Sequence, residues 1–155
     1  MEARVISFFS PKGGVGKTLF SLNTAVSLSL KDKKVLLIDL DLGAPQVTAK
    51  LLGVEPKYCL YNLLGHLKEF KEQKRNIHNY LAHYKNNLAF LPSISRLPNR
   101  SKINPVDIKE FITIAKKEFD FIVIDTGNNL SDNLMATFDS SGLIVLVLTP
   151  DILSV

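Results

Sequence analysis

The segment at residues 10–18, SPKGGVGKT, has the residue types and the spacing that binding of a phosphate group requires. Its three glycines lack Cβ atoms, so the backbone can take positive φ angles and turn its N–H groups inward around an anion. Lys17 can neutralise phosphate oxygens, and the hydroxyl of Thr18 can bind a magnesium ion that bridges them. Because an apolar run precedes the segment and a helical pattern follows it, the spacing predicts a phosphate-binding loop rather than a simple glycine-rich turn.

Three aspartates at the ends of apolar runs supply acidic groups for the same chemistry. Asp39 and Asp41 alternate in LLIDLDLG, which puts them on one side of an extended backbone. There Asp39 can order the water shell of a magnesium ion, and Asp41 can reach the γ-phosphate. Asp125 follows the run FDFIVI, and a carboxylate at the tip of a buried strand can hold magnesium, usually through water, from the side opposite Thr18. Together with the loop, the pattern predicts Thr18, Asp39 and Asp125 as the metal-associated residues.

One position of the loop departs from the general pattern of Gly, four residues and Gly-Lys-Ser/Thr. Pro11 stands where the first glycine is expected, and a second lysine, Lys12, follows it. The segment resembles the deviant loop, KGGxGKT, of the ATPases that include the MinD and ParA proteins and the iron protein of nitrogenase. The resemblance implies that Lys12 reaches across a dimer interface and that bound ATP joins two chains face to face. It also implies that Asp41, in the region matching switch I, positions the attacking water.

By this resemblance the chain is expected to be a magnesium-dependent ATPase with ATP or ADP as its cofactor. The residues expected to act in catalysis are Lys12, Lys17 and Asp41. The residues expected to bind the nucleotide are Lys12, Gly13, Gly14, Val15, Gly16, Lys17, Thr18 and Leu19. In switch II many relatives carry prolines, whereas this chain has Thr126, Gly127, Asn128 and Asn129.

The leading hypothesis is an ATP-dependent dimerisation switch that positions a partner complex, with a protein partner that stimulates hydrolysis or is itself localised. The segments SDNLMATFDSSGLIVLVLTPDILSV and LLGVEPKYCLYNLL resemble the CpaE and TadZ branch of the MinD/ParA group, which localises pilus or secretion machinery. The altered switch II motivates an alternative, a nucleotide-binding scaffold with little or no ATPase activity. A metabolic ligase of the dethiobiotin synthetase kind is a third hypothesis. Both a membrane surface and non-specific DNA are candidates for the surface on which such a switch would act.

The elements that must position these residues are strands that alternate with helices. Apolar runs predict buried parallel strands at residues 4–9, 34–39, 121–125 and 143–148, and a shorter one at 88–91. Helical periodicity begins near Leu19, and a second helix starts with Asn104 as N-cap and Pro105 at its first position. A last helix is predicted at residues 130–138, and several short helices at 45–87. The pattern predicts an α/β fold with an open, mostly parallel sheet and helices on both faces, as in P-loop NTPases.

Composition limits the class of protein. The chain has 155 residues, of which 46% are hydrophobic and 22% charged, and these values are typical of one soluble domain. A single cysteine, Cys59, excludes an internal disulfide and argues against an iron protein, which needs several cysteines. The three histidines lack the spacing of a metal site, and Cys59 is expected to be a small buried side chain. No segment has the pattern of a secretion signal or of a membrane span, so we expect a cytoplasmic protein. Recruitment of that protein to the membrane or to a cell pole is compatible with this expectation.

The resemblance extends over essentially all 155 residues, which we expect to form one P-loop ATPase domain. Complete relatives continue with further strands and helices that contact the adenine base. Here a new helix is expected to start after Asp151, and Val155 follows shortly. We therefore expect residues 1–155 to be the N-terminal portion of a longer family domain.

Overall fold

The computed structural model describes residues 2–41, 47–85, 87–92 and 103–150. Within these ranges the chain forms one six-stranded sheet, and helices connect most of its strands. The strands are β1 (Arg4–Phe9), β2 (Val35–Leu40), β3 (Ala82–Tyr84), β4 (Leu88–Leu91), β5 (Phe121–Thr126) and β6 (Leu143–Leu146). Their order across the sheet is β3-β4-β2-β5-β1-β6, and every pair is parallel except the antiparallel pair of β3 and β4. The predicted open, mostly parallel α/β sheet is confirmed.

The predicted strands lie within two residues of the observed ones, and the differences have local causes. Strand β6 ends at Leu146 instead of residue 148 because its one neighbour in the sheet, β1, ends at the paired residue Phe9. Strand β2 lies one residue later than predicted, and β5 extends one residue further, to Thr126. Strand β3 was not predicted. It is three residues long and pairs with β4 alone, so it has no periodic pattern to detect.

The helices are α1 (Lys17–Ser29), α2 (Val47–Leu52), α3 (Leu60–Leu64), α4 (Leu67–Lys71), α5 (Pro105–Ala115) and α6 (Asp132–Ser140), and a 3₁₀ helix covers Ile77–Tyr80. The short helices predicted for residues 45–87 are thus present in the described part of that stretch. The helix expected after Asp151 lies outside the described residues.

Capping residues determine where the longer helices begin. The Asn104 side chain accepts a hydrogen bond from the Val106 N–H at 3.0 Å, as its predicted N-cap role requires. Helix α6 begins at Asp132, two residues later than predicted, because the Ser131 hydroxyl caps it by accepting from the Leu134 N–H at 3.2 Å. Helix α1 begins at Lys17 rather than near Leu19, directly after the phosphate-binding segment.

Two apolar clusters cover the two faces of the sheet. Alternate residues of β2 divide between them, since Leu36 and Ile38 belong to one cluster while Val35 and Leu37 belong to the other. The first cluster includes apolar side chains of α3 and α5, and the second includes those of α1 and α2. The sheet is therefore a central layer between helices, and its middle strands β1, β2 and β5 are held rigidly from both sides.

Strand β6 differs from the inner strands because it lies at the end of the sheet. Its residues Leu143 and Leu146 are 54% and 55% exposed, and Ile144 is also exposed. A run of apolar residues that predicts a buried strand is thus largely uncovered in the described residues. In the same ranges, no helix has the length and apolar character that crossing a membrane requires.

Candidate nucleotide-binding site

The predicted phosphate-binding loop follows β1 at the carboxyl edge of the sheet. Gly14 and Gly16 have φ angles of +79° and +93°, which side chains with a Cβ atom rarely adopt. Gly16 precedes the first turn of α1, so that helix directs its N-terminus, with its unsatisfied N–H groups, toward the loop. A Cβ atom built at Gly14 would meet nothing within 4 Å, so there is open space beside the loop backbone. The loop therefore has the conformation and the space that a bound anion needs.

Lys17 and Asp125 form a buried ion pair beneath the loop. The Lys17 Nζ atom lies 2.8 Å from Asp125 Oδ1, and the side chains are 9% and 1% exposed. The pair joins the first residue of α1 to the end of β5, so it connects the predicted phosphate ligand to the predicted metal ligand. The pair leaves neither charge buried alone, and removing one member would leave the other buried without its partner.

Asp125 also has a hydrogen-bonding capacity that the described residues leave unused. Its Oδ2 atom is buried and accepts no hydrogen bond from any described residue. A buried carboxylate oxygen without a donor is costly, and a cation or a cation-bound water would supply what it lacks. Oxygen ligands of this kind suit magnesium, so Thr18, Asp39 and Asp125 have the chemistry that the ion prefers.

Asp39 lies beside Asp125 because the two residues are partners in the register of β2 and β5. Its Oδ1 atom accepts the Asp41 N–H at 2.9 Å, and its Oδ2 atom accepts the Thr48 hydroxyl at 3.1 Å. Burial raises the pKa of Asp39 from 3.8 to about 7, the charge of Asp125 adds to the increase, and the two hydrogen bonds act against it. A nearby cation would favour the ionised form of this carboxyl group.

Asp41 follows β2 and lies next to the loop that follows β5. A Cβ atom built at Gly127 would lie 3.8 Å from Asp41 Oδ1, so the two segments are already in contact distance of each other. Asp41 is half-buried, unlike Asp39. The predicted water-positioning carboxylate is thus at the surface of the site, whereas the predicted metal carboxylates are inside it.

The loop after β5, residues 126–129, is the segment that matches switch II, and it contacts the phosphate-binding loop. The Thr126 hydroxyl donates to the Phe8 carbonyl at 2.8 Å, which ties the end of β5 to the end of β1. A Cβ atom built at Gly13 would lie 3.8 Å from Asn128 Nδ2. Although the sequence departs from the family pattern at residues 126–129, the structure brings this loop against the phosphate-binding loop.

The remaining predicted residues lie along the loop as expected from their positions. Lys12 is half-buried, and its N–H donates to the Ser10 hydroxyl at 3.2 Å. Val15 and Thr18 are half-buried, and Leu19 is 53% exposed on the first turn of α1. Sequence reasoning missed Thr48, which bonds Asp39 from helix α2. No local pattern marks it, because the contact depends on how α2 packs.

The fold and the site together define a class. A parallel sheet with a phosphate-binding loop after one central strand, and a buried aspartate at the tip of its neighbour, is the architecture of P-loop nucleotide-binding domains. A family model described as AAA domain matches residues 3–155, and the chain belongs to that family. Its relatives assign it to the MinD/ParA type of P-loop ATPase.

Three relatives illustrate the assignment. The septum site-determining protein MinD of Bacillus subtilis (strain 168) is 29% identical over 156 residues, which cover 99% of this chain and 55% of that protein. MinD of Pyrococcus horikoshii OT3, solved in complex with Mg-ADP, has a TM-score of 0.80 and 28% identity, covering 98% of this chain and 60% of that one. A ParA family ATPase from Chlorobium tepidum TLS has a TM-score of 0.87 at 24% identity over 97% of this chain and 62% of that one, and shows the shared fold.

The chain thus spans 55% to 62% of the length of these three relatives. That residues 1–155 are the N-terminal portion of a longer family domain stays a prediction. The finer assignment to the CpaE and TadZ branch stays a prediction.

Proposed function

We propose that this chain is an ATP-binding and ATP-hydrolysing dimerisation switch that controls where a partner complex is located in the cell. One observation carries the proposal. The glycine-rich loop, the Lys17–Asp125 ion pair and the Asp39 and Asp41 pair all lie at the carboxyl edge of the three central strands. This edge therefore combines an anion-binding backbone with carboxyl groups.

In this proposal the loop and the lysine bind the phosphates. The backbone N–H groups of residues 13–18 face the phosphate oxygens, and Lys17 neutralises part of their charge. Thr18, Asp39 and Asp125 would hold magnesium, which when bound neutralises the charge that develops on the phosphates. Asp39 is already held by two hydrogen bonds, so little reorganisation is needed on its side.

Asp41 would orient the attacking water by accepting its hydrogen bond. Its half-buried position beside Gly127 supports this role, since a water must reach the carboxylate from solvent. Lys12 would contact the nucleotide of a second copy, as the family resemblance implies. The Bacillus relative is a septum site-determining protein, which supports a positional output for the switch.

Two measurements test the proposal. Light scattering compares the size of the protein with ATP and with ADP, and a phosphate-release assay measures ATP hydrolysis. Lys12→Ala should keep nucleotide binding but lose the ATP-induced dimer, and Asp41→Ala should keep the dimer but lose turnover. Lys31→Ala, at an exposed lysine beyond the end of α1, is the matched control and should behave as wild type. Wild-type dimerisation and turnover in both test variants would overturn the mechanism. Tight ATP binding without phosphate release, even with a partner present, would favour the scaffold alternative.

A further inference from the structure

Thr48 makes an unusual contact for a hydroxyl on a helix. It is the second residue of α2 and is fully buried, with 0% of its surface exposed. Its Oγ1 atom donates to Asp39 Oδ2 at 3.1 Å, so the hydrogen bond leaves the helix and ends on a carboxylate of β2. The two residues are nine positions apart in the sequence.

Three hydroxyls further along other helices have a partner in their own helix, whereas Thr48, as the second residue of α2, has no helix carbonyl three or four residues before it. Ser21 of α1, Thr113 of α5 and Thr137 of α6 each donate to a carbonyl three or four residues earlier in their own helix. Such bonds satisfy the hydroxyl locally and need no other element. The Thr48 hydroxyl instead donates to the side chain of Asp39, which is predicted to associate with magnesium.

Packing fixes the position of the Thr48 hydroxyl. Ala49 and Leu52, on the same short helix, are buried in the apolar cluster that also contains Leu37 and Phe90 of the sheet. Because these side chains pack α2 in the core, the backbone of Thr48 is held within reach of Asp39. The hydrogen bond between Thr48 and Asp39 is therefore made from a helix that packs in the core.

The carboxylate of Asp39 is held by one donor on each oxygen. The Asp41 N–H bonds Oδ1 and the Thr48 hydroxyl bonds Oδ2, from opposite ends of the segment between β2 and α2. The last torsion of an aspartate is otherwise broad, so two donors from different elements define the plane of the carboxylate. An ionised carboxylate oxygen can accept more than one hydrogen bond, so these two bonds leave Asp39 capacity for a cation-bound water.

We infer that Thr48 is a positioning residue that orients Asp39 for magnesium and thereby couples helix α2 to the nucleotide site. The inference rests on the proposed function, because it deepens the role of Asp39 in that site. Residues that orient a metal-binding carboxylate typically change metal affinity by about 10- to 100-fold when they are removed.

Thr48→Val tests the inference, because valine keeps the shape of the side chain and removes the hydroxyl. A fluorescent ADP analogue is bound to the intact chain and magnesium is titrated from zero in a chelator-buffered solution. The magnesium concentration at half-maximal effect should rise about tenfold in Thr48→Val, while affinity for the analogue without magnesium should stay within about twofold of wild type. Thr48→Ser, which keeps the hydroxyl, is the matched control and should restore a near wild-type midpoint.

A double-variant comparison separates positioning from a purely structural role. In an Asp39→Asn background, Thr48→Val should cause no further change in the magnesium midpoint, since the carboxylate it orients is gone. A midpoint in Thr48→Val equal to that of wild type, in a chain with native circular dichroism, overturns the inference alone. If Thr48→Val does not fold, Thr48→Ala removes the same hydroxyl with less bulk, and the same outcomes apply to it. A wild-type chain that binds the analogue neither with nor without magnesium overturns the proposed function and this inference together.

Discussion

The ends of β2 and β5 present two aspartates in similar positions but in different electrostatic states. Asp39 and Asp125 are partners in the strand register, and they are 2% and 1% exposed. Asp125 is neutralised by a cation from the chain itself, Lys17, at 2.8 Å. Among the described residues, Asp39 has two donors, the neutral Asp41 N–H and Thr48 hydroxyl, and burial raises its pKa to about 7.

The two strand ends thus accommodate a buried carboxyl group in two different ways. At the end of β5, the ammonium group of Lys17 offsets the charge of Asp125 before any ligand binds. The energy of burying Asp125 therefore depends on whether Lys17 is present. At the end of β2, burial raises the pKa of Asp39 to about 7, so the energy of this carboxyl group depends on pH and on any nearby cation. Substitutions and pH should therefore affect the two strand ends separately.

The largest effect is expected at the end of β5. Lys17→Met leaves Asp125 buried without its cation, and removing one member of a buried pair typically costs about 3–5 kcal/mol of unfolding free energy. Urea denaturation measures the loss, and binding of a fluorescent ADP analogue should be abolished in the same variant. The double variant Lys17→Met/Asp125→Asn, which also removes the stranded charge, should recover part of the stability. A single variant within about 1 kcal/mol of wild type would contradict the ion-pair account.

A pH-dependent effect is expected at the end of β2. The folded-state pKa of Asp39 is raised above its ordinary value of 3.8, so the folded chain binds a proton that the unfolded chain has lost between pH 4 and about 7. The contribution of Asp39 to stability is therefore fully present below pH 4, and it falls by up to about 1.4 kcal/mol per pH unit as pH rises toward 7. Above that pH both states are ionised and the slope disappears.

Urea denaturation in metal-free buffer at several pH values checks this slope. Asp39→Asn is the control, because it cannot titrate, and the difference between wild type and this variant isolates the contribution of Asp39. Parallel stability curves for the two proteins between pH 5 and 7 would show that Asp39 is ionised in the folded chain.

The smallest effect is expected where the two strand ends meet. A Cβ atom at Gly127 would lie at ordinary contact distance, 3.8 Å, from Asp41 Oδ1, so Gly127→Ala should change the unfolding free energy by less than about 0.5 kcal/mol. Gly14→Ala is the comparison, because its φ of +79° makes a side chain costly by about 1–2 kcal/mol. Thermal denaturation of both variants measures the difference. Equal losses would mean that the loop after β5 is as constrained as the phosphate-binding loop.

Much of this fold was predictable because its signals are local. The glycine spacing of residues 13–16, the apolar runs of the inner strands and the Asn104 cap each depend on neighbours in sequence. The alternation of strands and helices then fixes the parallel sheet, and the parallel sheet brings the ends of β1, β2 and β5 to one edge.

The details of the site were less predictable because they depend on contacts between distant segments. The Lys17–Asp125 pair joins residues 108 positions apart, and the Thr126 bond to the Phe8 carbonyl joins residues 118 apart. The contact of Thr48 with Asp39 depends on the packing of α2, and the raised pKa of Asp39 depends on burial that no motif records. Lys17, Asp39 and Asp125 can be named from the sequence, but their contacts cannot, and Thr48 is marked by no pattern at all.

The apolar edge of β6 has a consequence for how the protein behaves in solution. Leu143, Ile144 and Leu146 are exposed on this strand, and the backbone groups of an edge strand can pair with a strand of another copy. Association of two copies of residues 1–155 through this edge would increase with protein concentration and would be insensitive to the choice of ATP or ADP. A dimer formed by residues 1–155 would therefore support the proposed switch only where its formation depends on the nucleotide.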